Sequence, residues 1–564
     1  MRPSLPPRSY ALALLSGILQ VLPFPIAGPV PLWRTAFCWI ALLPLLAALI
    51  PREESPLPLR AGALLGFLSG FVWYLGNCYW IYQTMYLYGA IPKPVSAGIL
   101  VLFCLYLGAY HALFGVILAA LPHLSFAGKR IGRAGVYLLA PFVWVAVEFA
   151  RARITGLPWD LLGITQVDNP LLTRLAPITG AYGLSFVIVA VNSLWLLPVS
   201  VRERRHTRTA LTLAGVSAII AGLALTNRLL PPLHQASSAT AVLVQENLSV
   251  GAAATGPQLS KSDMLADFAR LSLFPAPATT CYGIPELAST PCVDSPGPAV
   301  GEAEVHPSAH PTLIVWPESP APFREADTEF RDAISRLARA APSAVIVGNV
   351  AVTPDPASPH GIRLQNSAAF IDATGRFVGR YDKIHLVPFG EYVPFKSLLF
   401  FAGSLLAEVG EFTPGRQRSV FSTAGHGFGT FICYESIFGD EVRQFSRAGA
   451  DVLVNISDDG WYGDTSAPWE HLNMVRMRAI ENHRWVLRAT NSGVTAVIDP
   501  YGRVVKSAPR HIRTSLPVAF DYEHVLTVYV RYGDWFAWMC SLVTALAFAG
   551  ALLRRARPQG YPQA

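Results

Sequence analysis

Apolar residues fill long blocks of the first 227 positions, and then the rhythm changes. From about 238 to 530 they come in short runs between polar and amphipathic stretches, before a last apolar block at 536–553. A membrane-crossing helix needs about 20 mostly apolar residues. The first region supplies seven such segments, at about 9–25, 35–50, 61–83, 95–121, 134–150, 176–200 and 209–227, and the block at 536–553 makes eight. Pro141 and Gly180 interrupt two of them, which helices in lipid tolerate better than helices in water. The first block leads into "SGILQVLPFPIAGPVPLW" with no small-residue cleavage site, so it reads as a span and not a removable signal.

Between 238 and 530 the runs "TAVLVQEN", "TLIVWPES", "SAVIVGNVAV", "QNSAAFID", "GTFICYES", "ADVLVNISDDGW", "WVLRATNSGVTAVID" and "GRVVKS" predict strands. "TEFRDAISRLARAA" and "WEHLNMVRMRAIENHRW" have apolar positions at helical spacing. Strands apolar on both faces need cover on both sides. The middle of the chain therefore reads as a layered α/β sandwich. The organisation expected is a multi-span α-helical membrane domain over 1–230, an α/β domain over 238–530, an eighth span at 536–553 and a tail at 554–564. A Pro-, Ala- and Thr-rich insertion covers about 274–311.

Composition agrees with a membrane protein carrying a large polar domain. Of 564 residues, 52% are hydrophobic and only 14% charged, and the mean hydropathy is +0.37. Lys and Arg set the orientation. One set of loops holds Arg2 and Arg8, Arg52 and Arg60, Lys129, Arg130 and Arg133, "VRERRHTR" at 201–208 and "RRAR" at 554–557. The other set is sparser, with Arg34, Lys93, Arg151, Arg153 and Arg174. The α/β domain is thus expected on the outer, periplasmic side. The net +7 calls for anionic lipid headgroups at the cytoplasmic flanks and not for nucleic acid.

Cys38, Cys78, Cys104 and Cys540 fall in expected spans, where a thiol is a small apolar filler. Cys281 and Cys292 bracket part of the insertion, where an oxidising compartment permits a disulfide. Cys433 stands apart: it ends an apolar run, directly before Tyr434 and Glu435. Two other strand ends also carry polar groups, Glu318 after "LIVWP" and Lys383 with Glu391 in "YDKIHLVPFGEY". Strand ends and the loops after them are where α/β sheets build sites. Singly, each group could be a helix-terminal charge, a loop lysine or a salt-bridge partner. The histidines show no metal-ligand spacing, so no metal or cofactor is expected, and His385, His471 and His483 read as loop or helix-surface residues.

The order Glu318, Lys383, Cys433, each after an apolar strand, resembles the Glu-Lys-Cys triad of the nitrilase superfamily. Seven spans before such a domain and one after it resemble the apolipoprotein N-acyltransferase family, membrane-embedded members of that superfamily. The shared motifs are "VWPES" at 315–319, "YDKIHLVPFGEYVP" at 381–394, "CYES" at 433–436, "SDDGWYG" at 457–463, "RMRAIENHR" at 476–484, "RATNSG" at 488–493, "YVRYGDW" at 529–535 and "GLPWDLLGITQ" at 156–166. "VQENLSVGAAATGPQ" departs from the family's usual sequence after the first strand, and the insertion lengthens the path to Glu318.

The resemblance implies an αββα nitrilase-like domain and an acyltransferase of the bacterial inner membrane. An acyl chain would pass from a phosphatidylethanolamine-like phospholipid to the α-amino group of a diacylglyceryl-modified apolipoprotein, through a thioester. Cys433 would be the nucleophile, Glu318 the base and Lys383 the oxyanion support, with Glu391, Tyr434 and Glu435 supporting. The segment 393–410, "VPFKSLLFFAGSLLAEVG", is apolar but too short to span, and is either core or an arm dipping into the bilayer. Two alternatives stand beside this reading. One is a membrane-anchored amidase using water as acceptor. The other is a transporter or receptor, which the scarcity of acidic residues in the spans, Glu148 alone, argues against.

Overall fold

The computed structural model describes residues 5–51, 56–123, 125–126, 129–200, 238–251, 260–274, 311–318, 323–356, 361–393 and 412–555. The chain divides into two compact units. One comprises Met1–Tyr82, Ala97–Pro231 and Tyr532–Ala564, the other Gln83–Ser96 and Pro232–Arg531. The expected span at 209–227, the basic loop at 201–208, Cys281 and Cys292, and the apolar segment 393–410 beyond Val393 lie outside the described residues.

Among the described residues, four helical segments are long and apolar enough to cross a membrane: Leu32–Leu49, Leu59–Asn77, Lys93–His123 and Arg133–Thr155. Shorter apolar helices run over Ala181–Leu197 and Trp535–Ala549, and a further helix covers Pro7–Val21. The expected 176–200 span is divided at Gly180, whose φ of +67° ends one helical turn before the next helix begins. Helices Leu59–Asn77 and Lys93–Ala120 cross so closely that a Cβ on Gly66 would lie 2.1 Å from the His111 carbonyl oxygen. Small residues allow such approach in lipid, where close packing replaces the hydrophobic drive. Cys38, Cys78, Cys104 and Cys540 are all buried, as fillers should be.

One charged cluster sits inside this unit. Glu148 and Arg151 are almost fully buried near the end of Arg133–Thr155, with Asp160 in the loop that follows. Glu148 Oε1 accepts from the Leu162 N–H (2.7 Å), Arg151 Nη1 donates to the Trp159 carbonyl (2.7 Å) and Asn77 Nδ2 donates to Asp160 (3.3 Å). The charges hold the backbone of a buried loop, whose polar groups would otherwise be costly.

Among the described residues, the second unit contains twelve strands in two six-stranded sheets. They are β1 (Ala239–Gln245), β2 (Leu313–Val315), β3 (Ala344–Pro354), β4 (Ile362–Ile371), β5 (Phe377–Asp382), β6 (Val420–Thr423), β7 (His426–Ile432), β8 (Val452–Ser457), β9 (Trp485–Thr490), β10 (Ala496–Ile498), β11 (Val504–Ser507) and β12 (Thr514–Phe520). The first sheet runs β12-β1-β2-β3-β4-β5 and the second β11-β10-β9-β8-β7-β6. In each, three neighbouring strands are parallel, β1, β2 and β3 in one and β7, β8 and β9 in the other, with antiparallel strands outside them.

Alternation along the strands builds the layers. Leu243, Val315, Ile346 and Phe370 join the core shared with the second sheet, while Val242, Val244, Ile314, Val345 and Val347 pack under helices Lys261–Leu273 and Thr328–Ala340. Helices Gly439–Arg447 and Ala467–Asn482 supply Val442, Phe445, Val475 and Ala479 to the second sheet's core. Four layers result, αββα, as both-face apolar runs require. β12 escapes the sequence reading because Pro517 interrupts it. An edge strand accommodates that residue, since its missing N–H costs no ladder bond on the open side.

Candidate active site

Every strand-end residue of interest lies at the edge where the parallel strands of both sheets finish. Glu318 follows β2. The Trp316 N–H bonds to the Ile346 carbonyl (2.9 Å), and its indole stacks on Phe268 (4.5 Å between centroids) and donates to Ser272 Oγ (2.9 Å). That anchor delivers Glu318 to the edge in a fixed direction. Lys383 follows β5. Its N–H bonds to the Asn366 carbonyl and its own carbonyl accepts from the Gly415 N–H, both at 2.8 Å.

Three side chains meet there. Lys383, 1% exposed, places Nζ 3.1 Å from Glu318 Oε1 and 3.0 Å from Glu391 Oε1. Asn366 bridges the same two carboxylates, donating to Glu318 Oε1 (2.7 Å) and Glu391 Oε1 (2.6 Å). The second oxygens are held by backbone: the Asp458 N–H donates to Glu318 Oε2 (3.0 Å) and the Val387 N–H to Glu391 Oε2 (2.8 Å). Burial works against charge on Lys383, but Glu318 and Glu391 outweigh it and carry its pKa well above the ordinary lysine value. The lysine is a fixed ammonium.

Cys433 begins the turn Cys433–Ile437 directly after β7, with φ +48°, a left-handed conformation rare for a residue with a Cβ. Such strain persists only where surroundings over-determine it. Here Glu435 does so. Its Oε2 accepts from the Ile432 N–H (2.7 Å), while Oε1 accepts from Tyr381 Oη (2.7 Å), the Ile384 N–H (2.7 Å) and the His385 N–H (3.2 Å). One carboxylate thus ties the Lys383 loop of the first sheet to the Cys433 turn of the second. Tyr434 is buried beside it, with its ring edge-on to Phe438.

Burial first, and the charge of Glu318 next, push the Cys433 thiol well above its usual pKa, although Lys383 pulls it down. That shift favours the protonated thiol. A thiol in that state becomes a nucleophile only when a neighbouring base removes the proton, and a carboxylate is in the same cluster.

The structure brings Glu318, Lys383 and Glu391 into direct contact, with Cys433 in their electrostatic reach. Asn366 and Asp458 are additions that the sequence reading missed. His471 is a correction: it was expected on a surface, but it is wholly buried, because both faces of helix Ala467–Asn482 are covered. Its Nε2 lies 3.0 Å from the Cys433 carbonyl oxygen. His385 is partly buried in its loop, and His483 caps the same helix with φ +51°. Among the described residues no cluster of His, Cys, Asp and Glu could hold a metal ion.

The Carbon-nitrogen hydrolase family matches residues 272–526, and the Apolipoprotein N-acyltransferase N-terminal domain matches residues 16–194. Among solved structures, an amidase from Nesterenkonia is 17% identical, covering 55% of this chain and 98% of its own, with a TM-score of 0.34. A Saccharomyces cerevisiae member of branch 10 of the nitrilase superfamily is 17% identical over 57% of this chain and 96% of its own, with a TM-score of 0.33. The apolipoprotein N-acyltransferase of Geobacter metallireducens is 34% identical over 97% of this chain and 96% of its own length. That of Bordetella bronchiseptica is 32% identical over 98% and 97%. With both parts of the chain matched, and full-length relatives above 30% identity, this chain belongs to the apolipoprotein N-acyltransferase family.

Proposed function

We propose that the protein transfers a fatty acyl chain from a phospholipid, of the phosphatidylethanolamine kind, to the α-amino group of a lipoprotein's N-terminal diacylglyceryl-cysteine, with Cys433 as the acyl carrier. The observation that carries this reading is the buried Glu318–Lys383–Glu391 cluster beside a cysteine in a strained turn. Full-length relatives named as N-acyltransferases favour an amine over water as acceptor. The Lys/Arg asymmetry of the loops supports an inner-membrane protein with residues 1–230 and 536–553 in the bilayer and 238–530 facing the periplasm.

In the first step Glu318 takes the Cys433 proton as sulfur adds to the ester carbonyl. The ammonium of Lys383, with the Tyr434 N–H, faces the oxyanion that forms. Glu391 and Asn366 keep that ammonium from swinging away. The C–O bond then breaks, Glu318 returns its proton to the departing glycerol oxygen, and a lysophospholipid leaves. In the second step the acceptor amine adds to the thioester. Glu318 takes the excess ammonium proton, the C–S bond breaks and the sulfur is reprotonated, leaving an amide and the free thiol.

Intact mass after incubation with phosphatidylethanolamine and no acceptor tests this. One acyl adduct per chain is expected, removed by neutral hydroxylamine and absent in Cys433→Ala. An adduct that survives Cys433→Ala places the nucleophile elsewhere and overturns the assignment.

A further inference from the structure

His471 belongs to a buried set of charges that the acyl-transfer steps above leave unused. Its Nδ1 lies 2.8 Å from Asp459 Oδ1 and 3.2 Å from Arg488 Nη2. Arg488 Nη2 donates to Asp459 Oδ2 (2.6 Å), and Nη1 donates to Asn455 Oδ1. Asn455 Nδ2 reaches the Phe431 carbonyl (3.2 Å), in the strand that leads into Cys433, and Ser457 Oγ donates to Asp459 Oδ1 (2.9 Å). His471, Asp459, Arg488, Asn455 and Ser457 are each fully buried. Gly493 admits the Asp459 carboxylate, since a Cβ there would lie 2.2 Å from Oδ2.

The other ring nitrogen is the informative one. Nε2 is 3.0 Å from the Cys433 carbonyl oxygen. A carbonyl only accepts, so Nε2 carries a proton whatever Nδ1 does. That carbonyl belongs to the peptide unit whose N–H is Tyr434's. In a trans peptide the C=O and N–H point in opposite directions from one rigid plane. A donor fixing the carbonyl therefore aims the N–H, and polarising the C=O strengthens the N–H as a donor.

We propose that His471 is a positioning residue for acyl transfer: its bond to the Cys433 carbonyl orients and polarises the Cys433–Tyr434 peptide so that the Tyr434 N–H meets the oxyanion. The same bond pins the cysteine in its left-handed conformation. This inference rests on the reading of Cys433 as the nucleophile. It adds a second support, from the helix Ala467–Asn482, to the one that Glu435 gives from the neighbouring side of the turn.

The test uses full-length protein in mixed micelles and two reactions of one sulfur. Acylation by phosphatidylethanolamine passes through an oxyanion, while alkylation by iodoacetamide does not. Both are followed by mass on the Cys433 peptide in single-turnover experiments. His471→Leu should slow acylation by roughly a hundredfold, the order seen when an oxyanion donor is lost, with alkylation within about threefold of the parent. His471→Gln, which can donate to the same carbonyl, should recover acylation to within about tenfold of the parent. Equal loss of both reactions, or loss of neither, overturns the proposal. Should His471→Leu fail to fold, Asp459→Asn, which loosens the imidazole but keeps it, must show the same divergence on a smaller scale, and its absence overturns the proposal equally. Failure of the parent protein to acylate Cys433 would instead sink the assignment of the nucleophile.

Discussion

Two buried clusters in this molecule share an inventory of one cation and two carboxylates, and they do different work. In the helical unit, Glu148, Arg151 and Asp160 spend their hydrogen bonds on a loop's N–H and C=O groups and on Asn77. In the α/β unit, Lys383 bonds directly to both Glu318 and Glu391, Asn366 shares the same two carboxylate oxygens, and backbone N–H groups hold the other two. The first arrangement ties its charges to backbone groups and an amide and acts as a clamp. The second surrounds an ammonium with acids and sets it beside a thiol at a strained backbone position. Charge and burial alone do not distinguish a scaffold from a reaction centre; what the charges are bonded to does.

The sharpest way to break that contrast is to delete each cation. Lys383→Ala should reduce Cys433 acylation by at least 10²-fold, by removing the oxyanion's partner. It should also destabilise by about 3–5 kcal/mol, because two largely buried carboxylates lose their counter-charge. Arg151→Met should cost stability on the same scale, yet the fraction that remains folded should acylate Cys433 within about threefold of the parent. Thermal midpoints and single-turnover rates on the same preparations separate the two effects. An Arg151→Met protein that folds normally but cannot acylate would erase the distinction.

A smaller effect is expected from Glu435→Gln. The amide keeps one acceptor oxygen and must present N–H groups to donors on the other, with each buried donor left unmet costing about 1–3 kcal/mol. The Lys383 loop and the Cys433 turn would drift apart, and acylation should fall by roughly ten- to a hundredfold. A matching loss in Glu435→Ala, with intact folding, would show that geometry is what the carboxylate provides.

The smallest effect is on the pH dependence of stability. Burial, then the charge of Glu318, raise the Asp458 carboxyl to about 8. An unfolded aspartate titrates near about 3.9, so between those values the native state holds one proton more, and stability falls as pH rises until about 8. Asp458→Asn should remove that part of the slope, so that the thermal midpoint falls less between pH 5 and pH 8 than it does in the parent. Glu246, carried to about 8 mainly by burial and against the pull of Arg513, will leave a residual slope. An unchanged profile would mean that Asp458 is ionised throughout.

Much of this site was legible in sequence because strand ends are legible. Glu318, Lys383 and Cys433 each follow an apolar run, and parallel strands bring such positions to one edge. Asn366 escaped for the converse reason. β4 runs antiparallel to β3, with Asn366 opposite Val350, so its early residues reach the edge that the parallel strands reach with their last ones. The polar run Gln365, Asn366 and Ser367, ahead of the apolar second half of the strand, was the available signal. His471 escaped because a lone histidine on a helix reads as surface, and only the four-layer packing covers both faces of Ala467–Asn482. The count of spans was the least legible part, since Gly180 and the helix breaks within Leu32–Leu49 divide runs that look continuous by hydropathy.

The pairing of β1 with β12, with Ala239 opposite Phe520 and Gln245 opposite Thr514, has a consequence for biosynthesis. The first strand's outer neighbour is the last one to be made. At about 5–20 residues per second, the on the order of 270 residues between them take tens of seconds to emerge. For that interval β1 presents an open apolar edge, the kind of template that recruits the wrong strand. Cys433 is translated inside the same interval, before the sheet that houses Lys383 can close. Newly made chains thus carry an unpaired sheet edge and the Cys433 thiol through one shared window, and whatever covers that edge, a chaperone above all, protects both.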